Sequence, residues 1–349
     1  MRRILVDMHR LKENPYNGLY SFSLNLGRSL AAQTTPDDEL HYYLPKNKFG
    51  CFGNRVLYEA QHSMNKYYKW GTQKYDVWHA ATTISYYKPF NNKTKFVFTI
   101  HDLNFLLEGK ENRSRNERLL RRIQKRVDRA DYIVGISQYA LAAAGKYLQL
   151  GDKPRKVIYN GCTRNAFPDF DSPVYRPKRP FLFAIGLVQP RKNFHLLPAL
   201  LKGNDYELVI AGLDHFDYKH TILEEVKRWN MEDRVKLTGA VSEEDKYWYY
   251  SHCAAFLFPS FAEGFGLPVI EAMYYGKPVF LSRETCMPEI GGEAAYYFEN
   301  FQVEVMQENF KQGMQHYREN NPAPAIRQRA AFFSWDTAAA EYLDIYRTI

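Results

Sequence analysis

Long hydrophobic runs and paired cysteines are both missing from this sequence of 349 residues. No apolar stretch reaches the ~18 residues that a transmembrane helix needs, so any membrane contact must be peripheral. In the first ten residues, MRRILVDMHR, Asp7 interrupts an apolar run that is too short for a signal peptide. The four cysteines (Cys51, Cys162, Cys253 and Cys286) lack CxxC spacing, which argues against a zinc or redox site and fits a reducing compartment. We therefore expect a cytoplasmic protein.

Charge is unevenly distributed along the chain, which has a formal net charge of +8 and a pI of about 9.0. Such a balance favours anionic partners such as nucleic acid, a membrane surface or a phosphorylated ligand. Eight basic residues fall in the predicted helix 113–129. This helix could bind anionic lipid headgroups or receive a lipid-linked diphosphate acceptor, or its long side chains could simply cover apolar surface. No RNA- or DNA-binding signature accompanies the charge, so we expect no nucleic-acid partner.

Short apolar segments alternate with longer amphipathic ones along most of the chain. KFVFTI and YELVIA are typical of buried strands, whereas NERLLRRIQKRV has apolar residues at helical spacing. This alternation indicates an α/β fold, with helices on both faces of a parallel sheet. A proline-rich stretch, PDFDSPVYRPKRP, interrupts it. We therefore predict two doubly wound, Rossmann-like domains facing a ligand-binding cleft, with residues 1–170 and 181–333 joined by a linker at 171–180.

The segment EGFGLPVIE places Glu263 and Glu271 on either side of a glycine-rich bend. Pro268 suits the first turn of a helix, and Gly264 and Gly266 would let the backbone approach a ligand closely. Amides at a helix N-terminus favour phosphate, and carboxylates accept hydrogen bonds from sugar hydroxyls. The loop therefore predicts a nucleotide-sugar site. In the alternative interpretation Glu271 only complements the helix dipole and Glu263 is solvated.

Continued by AMYYGKPVF, the same segment resembles the Glu-x7-Glu signature of retaining glycosyltransferases of family four, which have the two-domain GT-B fold. FTIHDLNF, VIYNG and FAIGLVQPRKN are similar to other motifs of the family, in the family's order. SRETCMPEIGGEAAYYFEN resembles the form common in mannosyltransferase-like members. The resemblance implies an N-terminal acceptor-binding domain and a C-terminal nucleotide-sugar-binding domain. It also implies that a closing helix, residues 334–349, returns to the N-terminal domain.

The resemblance further implies roles for particular residues. Arg191 and Lys192 would bind the donor diphosphate, together with Gly18 in the loop after the first strand. His101 and Glu263 would be catalytic residues at the donor sugar, although a lone histidine outside this context is more often structural. The donor sugar and ribose would be bound by Gly264, Phe265, Gly266 and Glu271.

Together these features predict transfer of a hexose, with retention, from a nucleotide-diphosphate sugar to a glycan or lipid-linked acceptor in cell-surface polysaccharide synthesis. The mannosyltransferase-like motif favours GDP-mannose as donor. UDP-glucose, UDP-N-acetylhexosamine, an epimerase on the same fold and, from another class, a basic nucleic-acid-binding protein are the alternatives. No Asp-x-Asp pair occurs at a strand end, so we expect no metal requirement and no cofactor. Helix 113–129 is predicted to contact anionic membrane at the cytoplasmic face.

Overall fold

The computed structural model describes residues 1–62, 64, 74–107, 113–214 and 217–349, which form two compact units. Unit 1 comprises Met1–Gly161 and Ser334–Ile349, and unit 2 comprises Cys162–Phe333. The division therefore falls at Gly161 rather than at residue 170. The segment 171–180 is packed into unit 2, where the Val174 N–H donates to Asp245 (2.8 Å).

The strands of both units are short and mostly buried. Those of unit 1 are β1 (Arg2–Asp7), β2 (Asp38–Leu44), β3 (Leu57–Ala60), β4 (Val77–Ala80), β5 (Lys95–Ile100), β6 (Tyr132–Gly135) and β7 (Arg155–Val157). Those of unit 2 are β8 (Phe181–Ile185), β9 (Glu207–Ala211), β10 (Val235–Gly239), β11 (Ala255–Phe258), β12 (Val279–Ser282) and β13 (Tyr296–Phe298).

Each unit has one parallel sheet, with the order β3-β2-β1-β4-β5-β6-β7 in unit 1 and β10-β9-β8-β11-β12-β13 in unit 2. The central strands carry continuous apolar runs because both faces of a parallel sheet are covered by helices. In each sheet the order reverses at the first strand of the unit, β1 or β8. Ligands in such folds bind beyond the carboxyl ends of the strands near this reversal.

The α-helices connect and cover these strands. They are α1 (Gly18–Gln33), α2 (Arg113–Arg129), α3 (Gln138–Tyr147), α4 (Lys219–Arg228), α5 (Glu243–His252), α6 (Leu267–Tyr274), α7 (Met287–Gly291), α8 (Val303–Asn320), α9 (Ala323–Phe332) and α10 (Trp335–Thr348). Phe194–Leu201 forms a 3-10 helix that contains Pro198. No helix in the described part of the chain combines the length and apolar character that spanning a membrane requires.

Helix α10 completes the core of unit 1. Its Tyr346 hydroxyl lies 2.6 Å from His79 Nδ1, and the other ring nitrogen of His79 lies 2.8 Å from the Thr99 hydroxyl. Gly161 allows the chain to approach the start of this helix, because a Cβ at that position would lie 2.0 Å from the Trp335 nitrogen. Buried polar contacts thus join α10 to the sheet of unit 1.

Candidate active site

Two glycines shape the carboxyl ends of β8 and β9. Gly186 has φ of 151°, and a Cβ there would lie 3.2 Å from Cε of Lys192. Gly212 has φ of 140°, and its Cβ would lie 1.7 Å from the Gly186 carbonyl oxygen. Only glycine adopts these backbone angles without strain, and only glycine fits the close approach at Gly212. The two loops can therefore meet, and the Lys192 side chain can pass beside Gly186.

Lys192 and Glu263 form a buried ion pair. Their side chains are 8% and 12% exposed, and the Lys192 Nζ lies 2.5 Å from Glu263 Oε1. The Ser260 hydroxyl donates to the same carboxylate oxygen, and the Lys192 ammonium also lies 4.4 Å from the centroid of the Phe258 ring. Burial raises the pKa of Glu263, but the charges of Lys192 and Arg191 outweigh burial and hold the pKa below its ordinary value. Glu263 is therefore ionised at neutral pH.

Arg191 joins this cluster through its main chain. Its carbonyl accepts a hydrogen bond from the Phe261 N–H (3.0 Å) and lies 3.1 Å from the Ser260 hydroxyl oxygen. With the Gln189 amide oxygen turned towards the guanidinium, that oxygen accepts from Nε (2.7 Å) and Nη2 (3.1 Å) of Arg191. The turn after β8 is thus fastened to the loop after β11. Three predicted site residues, Arg191, Lys192 and Glu263, come together here.

The glycine-rich bend leads into α6. Gly266 is the N-cap residue, with φ of 97°, and a Cβ there would lie 2.7 Å from Met287 Cε. Gly266 supplies no side-chain cap; in the first turn of α6, Pro268 has no N–H and the Val269 N–H donates to the Gly266 carbonyl (2.9 Å), which leaves the Leu267 amide available to an anion. The Phe265 side chain is buried edge-on against Phe333, with centroids 5.6 Å apart. Any ligand contact from Gly264 or Phe265 would therefore come from the backbone.

Glu271 belongs to a second polar network in unit 2. Its carboxylate accepts from the Tyr250 hydroxyl (3.1 Å) and lies 3.5 Å from the Lys246 ammonium. Burial raises the pKa of Glu271 above its ordinary value, although Lys246 offsets part of this effect. These three side chains line a small, partly open pocket. The pocket is completed by Thr163, Asn165, Glu243, Tyr247 and Tyr275.

Sequence reasoning missed Lys246, Tyr250 and Gly212. Lys246 and Tyr250 are four residues apart in α5, so they lie on the same face of that helix. This spacing could have indicated that the two side chains contribute to one site. The burial of Glu271 among them argues against the alternative that it only complements the helix dipole from a solvated position. In the residues that the structure describes, no cluster of three or more histidine, cysteine, aspartate or glutamate side chains is arranged to hold a metal ion.

In unit 1, His101 follows β5 and is buried. Its Nε2 lies 2.9 Å from the Ala81 carbonyl and must donate to it, which leaves Nδ1 as the nitrogen able to accept. Burial lowers the pKa of His101 to about 4, so the ring is neutral at pH 7. Asp102 orients the loop by accepting the Asn104 N–H (2.9 Å).

Gly18 is the first residue of α1. The preceding Asn17 caps the helix by accepting the Leu19 N–H (2.9 Å). A Cβ at Gly18 would meet nothing within 4 Å, so the backbone here is not crowded by the rest of unit 1. Diphosphate binding by Gly18 remains a prediction from the resemblance.

Two family models match the two halves of the chain. Residues 27–165 match the model described as Glycosyltransferase Family 4, and residues 168–325 match Glycosyl transferases group 1. Among curated proteins, the O-antigen chain mannosyltransferase B of Escherichia coli is 31% identical over 174 residues, covering 47% of this chain and 45% of that protein. The serotype-specific mannosyltransferase WbdA of Escherichia coli is 29% identical over 239 residues, covering 62% and 29%. The chain thus spans less than half the length of these relatives.

Solved structures share the fold over the whole chain. Sucrose-phosphate synthase from Thermosynechococcus elongatus superposes with a TM-score of 0.77 at 18% identity, covering 99% of this chain and 98% of that one. HepE from Anabaena, solved in complex with UDP and glucose, superposes with a TM-score of 0.72 at 15% identity, covering both chains completely. Both structures agree with an architecture of two Rossmann-like units.

Proposed function

This chain belongs to the family-four glycosyltransferases with the GT-B fold, and on that premise we propose that it transfers a hexose, with retention, from a nucleotide-diphosphate sugar. The transferred sugar is mannose and the donor is GDP-mannose. The acceptor is a glycan or a lipid-linked glycan in cell-surface polysaccharide synthesis. Support for mannose comes from the names of the related O-antigen and serotype-specific mannosyltransferases.

The observation that carries the proposal is the buried Lys192–Glu263 pair beside Arg191. An ammonium has three donors, and Glu263 takes one, so Lys192 keeps donors for the oxygens of a diphosphate. Arg191 supplies a second cation, and the uncapped start of α6 supplies the Leu267 backbone amide. Together they would stabilise the negative charge that builds on the departing nucleoside diphosphate.

The pocket around Glu271 is proposed to bind the nucleoside. A carboxylate has about four lone-pair sites, so with Tyr250 and Lys246 in place Glu271 can still accept hydrogen bonds from both hydroxyls of a ribose diol. Lys246 and Tyr250 hold the carboxylate from one side and restrict its rotation. A tenfold loss of affinity corresponds to about 1.4 kcal/mol, which is the scale of one hydrogen bond to a charged group.

In the proposed reaction the acceptor hydroxyl oxygen bonds to the anomeric carbon on the face from which the diphosphate leaves. The carbon–oxygen bond to the diphosphate breaks, and the hydroxyl proton passes to a phosphate oxygen. No enzyme base is then needed. His101 would contact the donor sugar through Nδ1 as a neutral acceptor, a role that its low pKa supports. Glu263 would hold donor-sugar hydroxyls, and no metal or cofactor takes part.

Peripheral binding to anionic membrane is proposed for the exposed basic residues of α2. Arg118, Arg121 and Lys125 are exposed and recur at helical spacing, so they share one face. Each basic residue near an anionic surface contributes about 1 kcal/mol. The triple replacement of these residues by glutamine should release the protein from vesicles that contain phosphatidylglycerol. Unchanged cosedimentation would contradict the membrane proposal without touching the proposed reaction.

A thermal-shift panel of GDP, UDP, ADP and their sugars tests the donor. A ligand that binds only the folded state stabilises it by about 2.7 kcal/mol at a hundred times its dissociation constant. We expect GDP and GDP-mannose to raise the melting temperature most, in the presence or absence of EDTA. A larger shift with UDP would replace GDP-mannose by a UDP-sugar donor. No shift with any nucleotide would refute the transferase proposal.

A further inference from the structure

Several buried polar groups of unit 1 surround residues 82–88, the segment that follows β4. In each of these side chains, one polar atom has no hydrogen-bond partner among the described residues. The atoms are His9 Nε2, Arg10 Nε, Thr82 Oγ1, Arg122 Nη2 and Arg126 Nε. Every such atom in the described part of the chain lies in unit 1. The five named here surround residues 82–88, and we call the residues that carry them the acceptor-side cluster.

The positions of the guanidinium groups are fixed by two backbone carbonyls. Arg10 Nη2 lies 3.4 Å from the Ile84 carbonyl, and Arg126 Nη2 lies 3.1 Å from the Tyr86 carbonyl. These carbonyls belong to residues two apart in the chain, so they are within about 7 Å of each other. The Arg122 guanidinium stacks on the Tyr86 ring, 4.5 Å from its centroid. Three arginines from two distant parts of the sequence, Arg10 and the two from α2, therefore contact the same short segment.

The cluster lies where ligands of parallel sheets bind. Strands β1 and β4 are hydrogen-bonded neighbours, with Asp7 paired to Ala80 at their carboxyl ends. His9 and Arg10 follow β1 directly, and residues 82–88 follow β4. This edge of the sheet is also where its strand order reverses, the position at which doubly wound folds hold their ligands.

Positive charge exceeds negative charge in the cluster. Its carboxylates are Asp7, which lies 3.0 Å from His9 Nδ1 and accepts from the Ser85 hydroxyl, and Glu13, which pairs with Arg10. Its cations are Arg10, Lys88, Arg122 and Arg126. Arg126 is only 8% exposed, and burial together with Arg122 lowers its pKa. Burial and Arg126 likewise lower the pKa of Lys88.

Buried donors without partners are costly, about 1–3 kcal/mol for each neutral group and more for a charged one. Repulsion between neighbouring guanidiniums adds to this cost. An anion with several acceptor oxygens would remove both costs at once, because guanidinium donors match the oxygens of phosphate. A neutral glycan would supply hydroxyls but would leave the charge uncompensated.

We propose that the acceptor-side cluster binds a phosphate or diphosphate group of the acceptor, through Arg10, Arg122 and Arg126. The assignment to the acceptor rests on the proposed function, in which Arg191 and Lys192 of unit 2 hold the donor diphosphate. The binding of the anion itself does not depend on that function. The group belongs either to a lipid diphosphate or to a soluble phosphorylated sugar, and the two differ in whether an apolar tail adds affinity.

Calorimetric titrations with pyrophosphate, geranyl diphosphate and geraniol test this proposal, on protein saturated with GDP so that the donor site is filled. We expect Arg126→Gln and Arg10→Gln each to weaken pyrophosphate binding at least tenfold. Arg28→Gln removes the same charge from an exposed position of α1 and should leave binding unchanged. Tighter binding of geranyl diphosphate than of pyrophosphate, with none of geraniol, would identify a lipid-linked acceptor. Equal binding of the two would identify a soluble one.

A second set of variants separates loss of binding from loss of fold. Arg126→Lys retains a cation but lacks the Nε–H, so it should fold and should recover part of the affinity. Pyrophosphate binding that survives Arg126→Gln, or that Arg28→Gln weakens equally, would overturn the proposal. So would an absence of pyrophosphate binding by the wild-type protein. Failure of GDP to bind would refute the proposed transferase instead. The pyrophosphate titration can still be carried out on protein without GDP, so it tests the acceptor-side cluster separately.

Discussion

The Lys192–Glu263 pair allows its structural and ligand-binding roles to be separated by a double-mutant cycle. Lys192→Met retains most of the side-chain volume that passes Gly186 but removes the ammonium. Glu263 would then be a buried carboxylate whose remaining donor is the Ser260 hydroxyl. Glu263→Gln makes the converse change and leaves the Lys192 ammonium buried. The double variant removes both charges together.

The expected magnitudes follow from burial. Removing one partner of a buried ion pair costs about 3–5 kcal/mol, because the other charge is left uncompensated in a poorly solvated site. Replacing both partners by neutral groups of similar size is often nearly neutral. We therefore expect the Lys192→Met variant to lose about 3–5 kcal/mol of unfolding free energy relative to the wild type. The loss in the double variant should be smaller than that by about 2 kcal/mol or more, which is on the order of the coupling energy between residues in contact.

Urea-dependent hydrogen–deuterium exchange, read on peptides of unit 2, is the suitable assay. Two compact units need not unfold together, so a single whole-chain transition would mix their stabilities. Lys219→Met, at an exposed position of α4, is the matched control and should change the free energy of unfolding by less than about 0.5 kcal/mol. A single variant that is no less stable than the double variant would refute a buried ion pair.

The same double variant tests the ligand. Because it should be folded, a loss of the GDP-induced rise in melting temperature would have to come from the missing ammonium rather than from unfolding. We expect that rise to disappear. Retention of the full rise would show that Lys192 does not contact the diphosphate, while leaving the stability argument intact.

Three further outcomes are expected. Glu271→Gln should weaken nucleoside-diphosphate affinity about tenfold in calorimetry, and Tyr250→Phe should weaken it less, because only a positioning hydrogen bond is lost; equal affinity in both variants and the wild type would contradict the assigned pocket. His101 has a pKa of about 4 in the folded protein and about 6.5 in the unfolded chain, so as the pH falls the unfolded chain binds a proton first. The contribution of neutral His101 to the free energy of unfolding should therefore be full above pH 6.5 and fall by about 2 kcal/mol between pH 7 and pH 5. A pH-stability profile that His101→Gln leaves unchanged would count against a buried neutral ring. Gly212→Ala should destabilise unit 2 by about 3 kcal/mol or more in urea denaturation, whereas Gly18→Ala should cost less than about 0.5 kcal/mol; the reverse order would contradict the backbone described for both loops.

The sequence pattern predicted the central strands because they are buried on both faces and therefore carry continuous apolar runs. It did not predict β3 or β13, which lie at the sheet edges, are short, and have half-buried side chains. Helices α8 and α9 were also missed, since polar residues and alanines dilute their apolar stripe. Edge elements give a weak periodic signal because solvent, rather than a neighbouring layer, covers one side of them.

The sequence predicted which residues belong to the candidate site but not which of them contact one another. The Glu-x7-Glu resemblance identified Glu263 and Glu271, yet no sequence pattern indicated that each contacts a lysine. The Lys192 side chain passes beside Gly186 to reach Glu263, a contact between segments that are distant in the sequence. Arg126 illustrates the same limit, because composition only counts it among the eight basic residues of helix 113–129 whereas the structure buries it. Charge patterns show how many cations a helix has but not which of them are buried.

The order of the chain has a consequence for biosynthesis. Unit 2 is one continuous stretch, so it can fold as soon as its own residues have left the ribosome. Unit 1 is interrupted, and its sheet is completed only by a segment made after unit 2, which supplies Tyr342 and Tyr346 to the buried network at His79 and Thr99. During translation the N-terminal sheet therefore lacks these two side chains until α10 has been made, although the sheet itself is made first.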